Sequence, residues 1–411
     1  MAEIIPFRGI LYDTAKVQID DVLAPPYDII TPEYREALYM QSPHNIVRID
    51  FGKEEPGDNE AGNKYTRARE YLDAWMKEGV FVQSARPSFY AYEMDYRTEG
   101  IRRRLLGFLC LVKLEELGKG SVYPHECTHS KPKQDRLNLM RACHANTSPI
   151  FALYRSAGGR MAAMLSEITM TTPYLSAVDI SGDVHRIWQI DQAEKIEFIR
   201  HELQDKAIFI ADGHHRYETA FEFYREKSSL KNPASVQSFD HVLMFLSNMA
   251  EEGLTILPTH RLLKTIPEDI ESILSKYFAA ETVTESFDIQ KVLSGKRRAF
   301  GFFRKGSKTW QILTYKEADV CEICHDLRQT DVIILHELVL KKIADTTEIG
   351  YEMNMTRALD RVNNGEFSAA FFLNPTRVED VEKAGLSSVR MPPKSTYFYP
   401  KLLTGLVINK W

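Results

Sequence analysis

Residues Ala207-Ile-Phe-Ile-Ala-Asp-Gly-His-His-Arg-Tyr-Glu-Thr-Ala220 carry an apolar run straight into a glycine, two imidazoles and a guanidinium. Ala207–Ala211 has the length and composition of a buried strand, whereas Tyr217, Ala220, Phe221 and Tyr224 recur at helical spacing. Gly213 therefore stands where strand becomes helix. Glycine there permits positive φ and a close approach of backbone to ligand, and the first amides of a helix have no partner within the helix. Their dipole favours negative charge. His214, His215 and Arg216 add donors at the same end, Arg216 as a planar fork suited to phosphate, and Tyr217 completes the candidate anion-binding set. The plainer alternative is an ordinary helix start with Asp212 as N-cap and exposed histidines. Clustered cationic donors beside a helix N-terminus argue against it unless an anion is bound. Glu218, in the first turn, is expected to organise His215 or Arg216.

Outward from this turn, residues 118–264 alternate strand and helix. Asp135–His144 reads as a helix, Ile150–Tyr154 and Val184–Ile190 as strands, and Asp191 with Glu194 as a capping pattern for a helix ending at Leu203. His241–Met249 is the next apolar strand. The order predicts an open α/β sheet with the site at its strand ends. Residues 1–117 read as a mixed region: Leu23–Ile30 is stiffened into an extended segment by Pro25 and Pro26, and Thr31 caps a helix with Pro32 at N1. A helix from Asn63 to Glu78 follows, then strands Phe89–Tyr96 and Arg104–Leu114 paired through a turn near Thr98–Gly100. Residues 265–411 form a third mixed region, with a hairpin of Phe300–Arg304 and Trp310–Tyr315, an apolar helix Val332–Ala344 and a buried strand Ser368–Leu373. The fold class expected is mixed α/β.

At 411 residues the chain exceeds one ordinary core, and 44% hydrophobic with 27% charged residues is a globular composition. A net charge of −5 and a pI near 6.2 argue against a surface made for wrapping nucleic acid, while leaving room for local basic patches. No internal repeat, signal peptide or bilayer-length apolar run is evident, so the reading predicts a cytoplasmic protein with no membrane partner. Five scattered cysteines make no disulfide framework. Cys321, Cys324 and His325 are short of a zinc set and read as a helix with two buried thiols.

Other polar clusters surround this plan. His125-Glu126-Cys127-Thr128-His129 has the H-E-x-x-H spacing of a metalloprotease helix, yet Pro124 and a missing third ligand leave the metal reading as one alternative. Lys133, Asp135 and Arg136 follow, and Glu126 or Asp135 has the chemistry of a general base. Tyr27 and Asp28 sit on the rigid Pro-Pro segment, which suits a fixed catalytic or substrate-binding carboxylate. Arg261, and Lys394, Ser395, Thr396 with Lys401, are further candidate phosphate contacts.

The turn DGHHRYETA, 212–220, resembles the signature of family 1015 of the domains of unknown function. The resemblance extends to APPYDII at 24–30, HNIVRID at 44–50, PHECTHSKPKQDRLNLMRA at 124–142, NTSPIFALY at 146–154, GLTILPTHR at 253–261 and MPPKSTYFYPKLLTGLV at 391–407. Gly213, His215 and Arg216 are also similar to the phosphate-binding turn of the ParB and sulfiredoxin superfamily, which includes kinases acting on free serine. That likeness implies a ParB/sulfiredoxin-like central domain whose turn holds nucleotide phosphates, with serine or phosphoserine as a substrate. No DNA-reading helix-turn-helix accompanies it, so no nucleic-acid partner is expected. The leading expectation is an enzyme that binds a nucleotide or phosphorylated metabolite, ATP or ADP with Mg2+, and transfers or removes a phosphoryl group, with Asp28, Glu126 or Asp212 as base or metal ligand. A homodimer is also expected. The alternatives are a nucleotide-binding regulatory switch without turnover and, third, a metal-dependent hydrolase at His125.

Overall fold

The structure is a computed structural model and describes residues 2–127, 130–229, 239–284, 288–316, 330–343, 347–387 and 389–411. His129, Cys321, Cys324 and His325 lie outside these residues. The fold is mixed α/β, as the alternation of patterns predicts. Two compact units divide the chain: one contains Met1–Tyr123, Thr128–Leu254 and Pro400–Trp411, the other Pro124–Cys127 and Thr255–Tyr399.

The first unit is built on a nine-stranded mixed sheet. Its strands are β1 (Ile4–Ile5), β2 (Phe89–Thr98), β3 (Ile101–Lys113), β4 (Val122–Tyr123), β5 (Ile150–Tyr154), β6 (Leu175–Val178), β7 (Val184–Ile190), β8 (Ile208–Asp212) and β9 (His241–Asn248). They lie in the order β4-β8-β5-β9-β3-β2-β7-β6, with β1 beside β3. Strands from residues 1–117 and from 118–264 thus share one sheet. Leu105–Val112 in β3 are buried without interruption, the pattern of a strand covered on both faces. Its partner β2 joins it through the two-residue turn Glu99-Gly100, both at positive φ (51° and 77°), which matches the right-handed strand twist.

Helices α1 (Pro32–Gln41), α2 (Lys64–Lys77), α3 (Ser130–Cys143), α4 (Arg160–Thr169), α5 (Ala193–Leu203) and α6 (His214–Ser228) accompany this sheet. Thr31 caps α1 ahead of Pro32, and Asn63 with Thr66 forms a capping box on α2. Against expectation, α3 begins at Ser130 rather than Asp135. The Asp191 and Glu194 cap does not form, because β7 pairs through Ile190 and the N-cap falls on Gln192. Nor is Leu23–Ile30 extended throughout: Tyr27–Ile29 closes a 3-10 turn, with Ile29 N donating to Pro26 O at 3.2 Å. Tyr217 and Phe223 anchor α6 in the core beside Ile208 and Ile210 of β8, each such burial contributing on the order of 2–3 kcal/mol.

The second unit holds a six-stranded antiparallel sheet of β10 (His260–Leu263), β11 (Phe278–Thr284), β12 (Ala299–Arg304), β13 (Thr309–Tyr315), β14 (Ile349–Glu352) and β15 (Ala369–Phe372), in the order β11-β13-β12-β15-β10-β14. Leu262, Phe303, Trp310 and Phe372 form its core. The expected helix at 332–344 changes to π geometry over His336–Leu340, between α-helical Asp331–Leu335 and Lys341–Ile343. Among the described residues no helix is long and apolar enough to cross a membrane.

Candidate functional site

Strand β8 delivers Asp212 to the turn, and Gly213, at φ 94° and ψ 27°, sends the chain into α6 with no side-chain cap. Only glycine adopts this backbone without strain, and a Cβ here would also lie 2.9 Å from Arg216 Nε. Arg216 is folded back over the turn. It donates to the carbonyl of Pro149, and its Nη2 is 4.0 Å from Asp212 Oδ2. Asp212 is therefore not the N-cap of α6: its Oδ1 accepts from the Gly213 amide at 2.9 Å, and its Oδ2 meets Lys401 Nζ at 2.9 Å. One carboxylate thus stands between two cations at the N-terminus of a 15-residue helix.

His214 is buried and His215 half-buried. Tyr217 belongs to the core rather than to a ligand surface, because its hydroxyl donates to Glu115 O at 2.8 Å and accepts from Glu115 N at 3.0 Å. Glu218 pairs with Lys133 of α3. That pair ties α3 to α6.

Beside the turn lies a buried ion network that the sequence reading saw only in part. Arg136, 7% exposed, sets Nη1 at 3.2 Å from Asp50 Oδ2 and Nη2 at 2.6 Å from Asp135 Oδ2. Asp135 Oδ1 receives Lys64 Nζ at 2.9 Å and the Tyr65 hydroxyl at 2.9 Å, and Asp50 Oδ1 receives the Thr147 hydroxyl at 2.5 Å. The Arg136 fork is thus spent on two carboxylates. Burial alone would raise the Asp135 carboxyl, but Arg136 and Lys64 outweigh it and hold it down to about 2. Asp135 is therefore a firm anion rather than a proton acceptor. A cleft of only about 10 Å³ lies here, lined by Asp50, Lys64, Tyr65, Asp135 and Arg136 among others.

Tyr27 joins the two clusters. The guanidinium of Arg136 covers its ring, and burial pushes its hydroxyl up to about 12 while the charges of Arg136, Asp28, Arg216 and Asp50 also act on it. The Pro-Pro segment, α3 and the glycine turn are thereby in one locality, with Asp28 exposed to solvent. Asp50, Lys64 and Tyr65 belong to this network although the sequence does not single them out. The one signal for them was Asp50 at the end of the HNIVRID segment.

His125, Glu126, Arg261, Lys394, Ser395 and Thr396 belong to the second unit and cluster there. His125 is buried, with Nε2 at 2.9 Å from Thr396 Oγ1. Glu126 Oε1 accepts from the Lys394 amide at 2.7 Å, where Lys394 takes φ 59°, and the Ser395 hydroxyl donates to Pro392 O at 2.6 Å. Arg261, 2% exposed, donates to Thr259 O and, at 2.9 Å, to Lys394 O. Burial lowers it to about 10, although Tyr351 and Glu126 oppose that shift. Among the described residues no group of three or more His, Cys, Asp or Glu could hold a metal ion.

The solved structures similar to this chain include a free serine kinase variant in complex with AMP, at 11% identity over 68% of this chain and 84% of that one, TM-score 0.38. A conserved hypothetical protein from Pyrococcus furiosus matches at 14% identity over 69% and 89%, TM-score 0.36. SbnI with a C-terminal truncation, from Staphylococcus aureus, matches at 11% identity over 72% and 85%, TM-score 0.39. No curated protein matches the chain. The family model described as "Protein of unknown function (DUF1015)" matches residues 4–344. With the signature turn at 212–220 inside that span, the chain belongs to the DUF1015 family.

Proposed function

We propose that the chain binds a nucleotide or another phosphorylated small metabolite at the N-terminus of α6 and transfers or removes a phosphoryl group. The observation that carries this reading is the Gly213 turn itself, with Arg216 and Lys401 beside Asp212 at the N-terminus of a 15-residue helix. Gly213 admits the phosphate to the backbone, and His214, His215 and Arg216 hold it. The turn takes the part played by the phosphate turn of ParB and sulfiredoxin-like proteins. Asp28, exposed beside Tyr27, is the general base for an acceptor hydroxyl such as that of serine. ATP or ADP with Mg2+ is the donor or product.

Isothermal titration with ADP, ATP and inorganic phosphate, with and without Mg2+, tests the binding step. Phosphorus NMR over a panel of small alcohols and phosphate esters tests the chemistry. No binding of any of the three ligands would overturn the reading. Binding with no product across the panel would leave a regulatory switch.

A further inference from the structure

A separate cavity of about 170 Å³ opens in the first unit and shares no lining residue with the glycine turn. Its apolar walls come from Leu23, Pro25, Leu38, Ile180 and Leu403. Its polar groups are Asp20, Asp179, Tyr34 and Gln41, and none of the residues lining it is a lysine or arginine. In such a lining apolar walls supply affinity and a few polar groups fix orientation.

The two carboxylates are held by the backbone. Asp20, on the short helix Ile19–Val22, accepts from Val178 N through Oδ1 at 2.8 Å, and no described residue bonds its Oδ2. Asp179 Oδ1 accepts from the amides of Ser181 and Asp183 at 2.8 and 2.9 Å. Behind the wall stands His185, 0% exposed, with Nε2 facing Asp179 Oδ2 at 3.6 Å and making no hydrogen bond. Its Nδ1 is 2.8 Å from the Tyr92 hydroxyl, which also accepts from the amide of Leu403 in the cavity wall.

We propose that this cavity binds a small organic cation, an ammonium group on an aliphatic or aromatic body, with Asp20 and Asp179 receiving the charge and the apolar walls the body. Tyr34, from α1, offers its ring to the same cation.

The test uses the full chain and three probes of equal length: hexylamine, hexanol and hexanoate. Ligand-observed NMR titration should show hexylamine binding roughly tenfold or more tighter than hexanol, one charge-assisted contact being worth at least that factor, with hexanoate excluded. Asp20→Asn keeps the Oδ1 acceptor for Val178 and removes the charge, and should weaken hexylamine about tenfold with an unchanged melting temperature. Asp179→Asn should do the same, and if it fails to fold the Asp20 variant decides alone. The proposal is overturned if hexylamine does not bind, if hexanol or hexanoate binds equally well, or if Asp20→Asn leaves hexylamine affinity unchanged.

Discussion

The guanidinium carbon of Arg136 stands 4.2 Å from the centre of the Tyr27 ring while its nitrogens hold Asp50 and Asp135. Asp50 is 3% exposed, so removing its partner strands a buried charge. Arg136→Met should cost about 3–5 kcal/mol in urea denaturation, and adding Asp50→Asn should restore much of that loss. A loss below about 1 kcal/mol for the single variant would mean the network contributes little to the fold.

At the glycine turn, Arg216→Ala should weaken binding of ADP or inorganic phosphate by roughly 1.5–3 kcal/mol, the scale of a charge-assisted hydrogen bond. The fold should suffer little, because the lost protein contacts are one backbone carbonyl and a 4.0 Å approach to Asp212. Titration calorimetry on both proteins decides it. Unchanged affinity with collapsed stability would make Arg216 a structural residue.

Asp135 lies below its ordinary 3.8, at about 2, so its pairing stabilises the fold fully above pH about 4 and is lost as pH falls through about 2. The size is on the order of 2 kcal/mol. Asp135→Asn should remove that stabilisation at neutral pH and flatten the acid limb of the denaturation profile. An unchanged acid limb would place the sensitivity elsewhere.

In the second unit the sign reverses. Burial raises Asp331 from 3.8 to about 6 although the Arg298 amide bonds Oδ1 at 2.7 Å. The folded state therefore binds the proton more tightly, and this contribution is present below pH about 4 and lost as pH rises through about 6. Asp331→Asn keeps the acceptor, so it should raise stability near pH 8 by about 2–3 kcal/mol and leave it unchanged near pH 4. Equal effects at both pH values would refute the assignment.

Once a substrate is in hand, Asp28→Asn should preserve nucleotide binding and lower turnover on the order of 10²–10⁴-fold, the usual contribution of a positioned base. Glu126→Gln, which keeps an oxygen for the Lys394 amide, should retain turnover. Full turnover in Asp28→Asn would remove that carboxylate from the role.

Local chemistry was readable wherever it is set by neighbours in the chain. Thr31 before Pro32, the Phe300–Arg304 hairpin strand and the strand-glycine-helix turn at Gly213 all follow from propensity, turn geometry and periodicity over a few residues. Start points were less legible: α3 begins at Ser130 and α5 at Ala193, because helix ends are set by what the chain packs against as much as by capping residues.

The sequence by itself determined the mixed α/β class, the position of the glycine turn and the residue types gathered around it, since these depend on short-range sterics and hydrophobic period. Tertiary structure alone decided which charges meet. Asp50 and Arg136 are 86 positions apart, and Asp212 and Lys401 are 189 apart; at such separations contact depends on sheet order and packing, which no local pattern encodes. The same packing makes Asp135 and Arg136 a mutually satisfied pair, because a buried charge is retained only with a partner at hand.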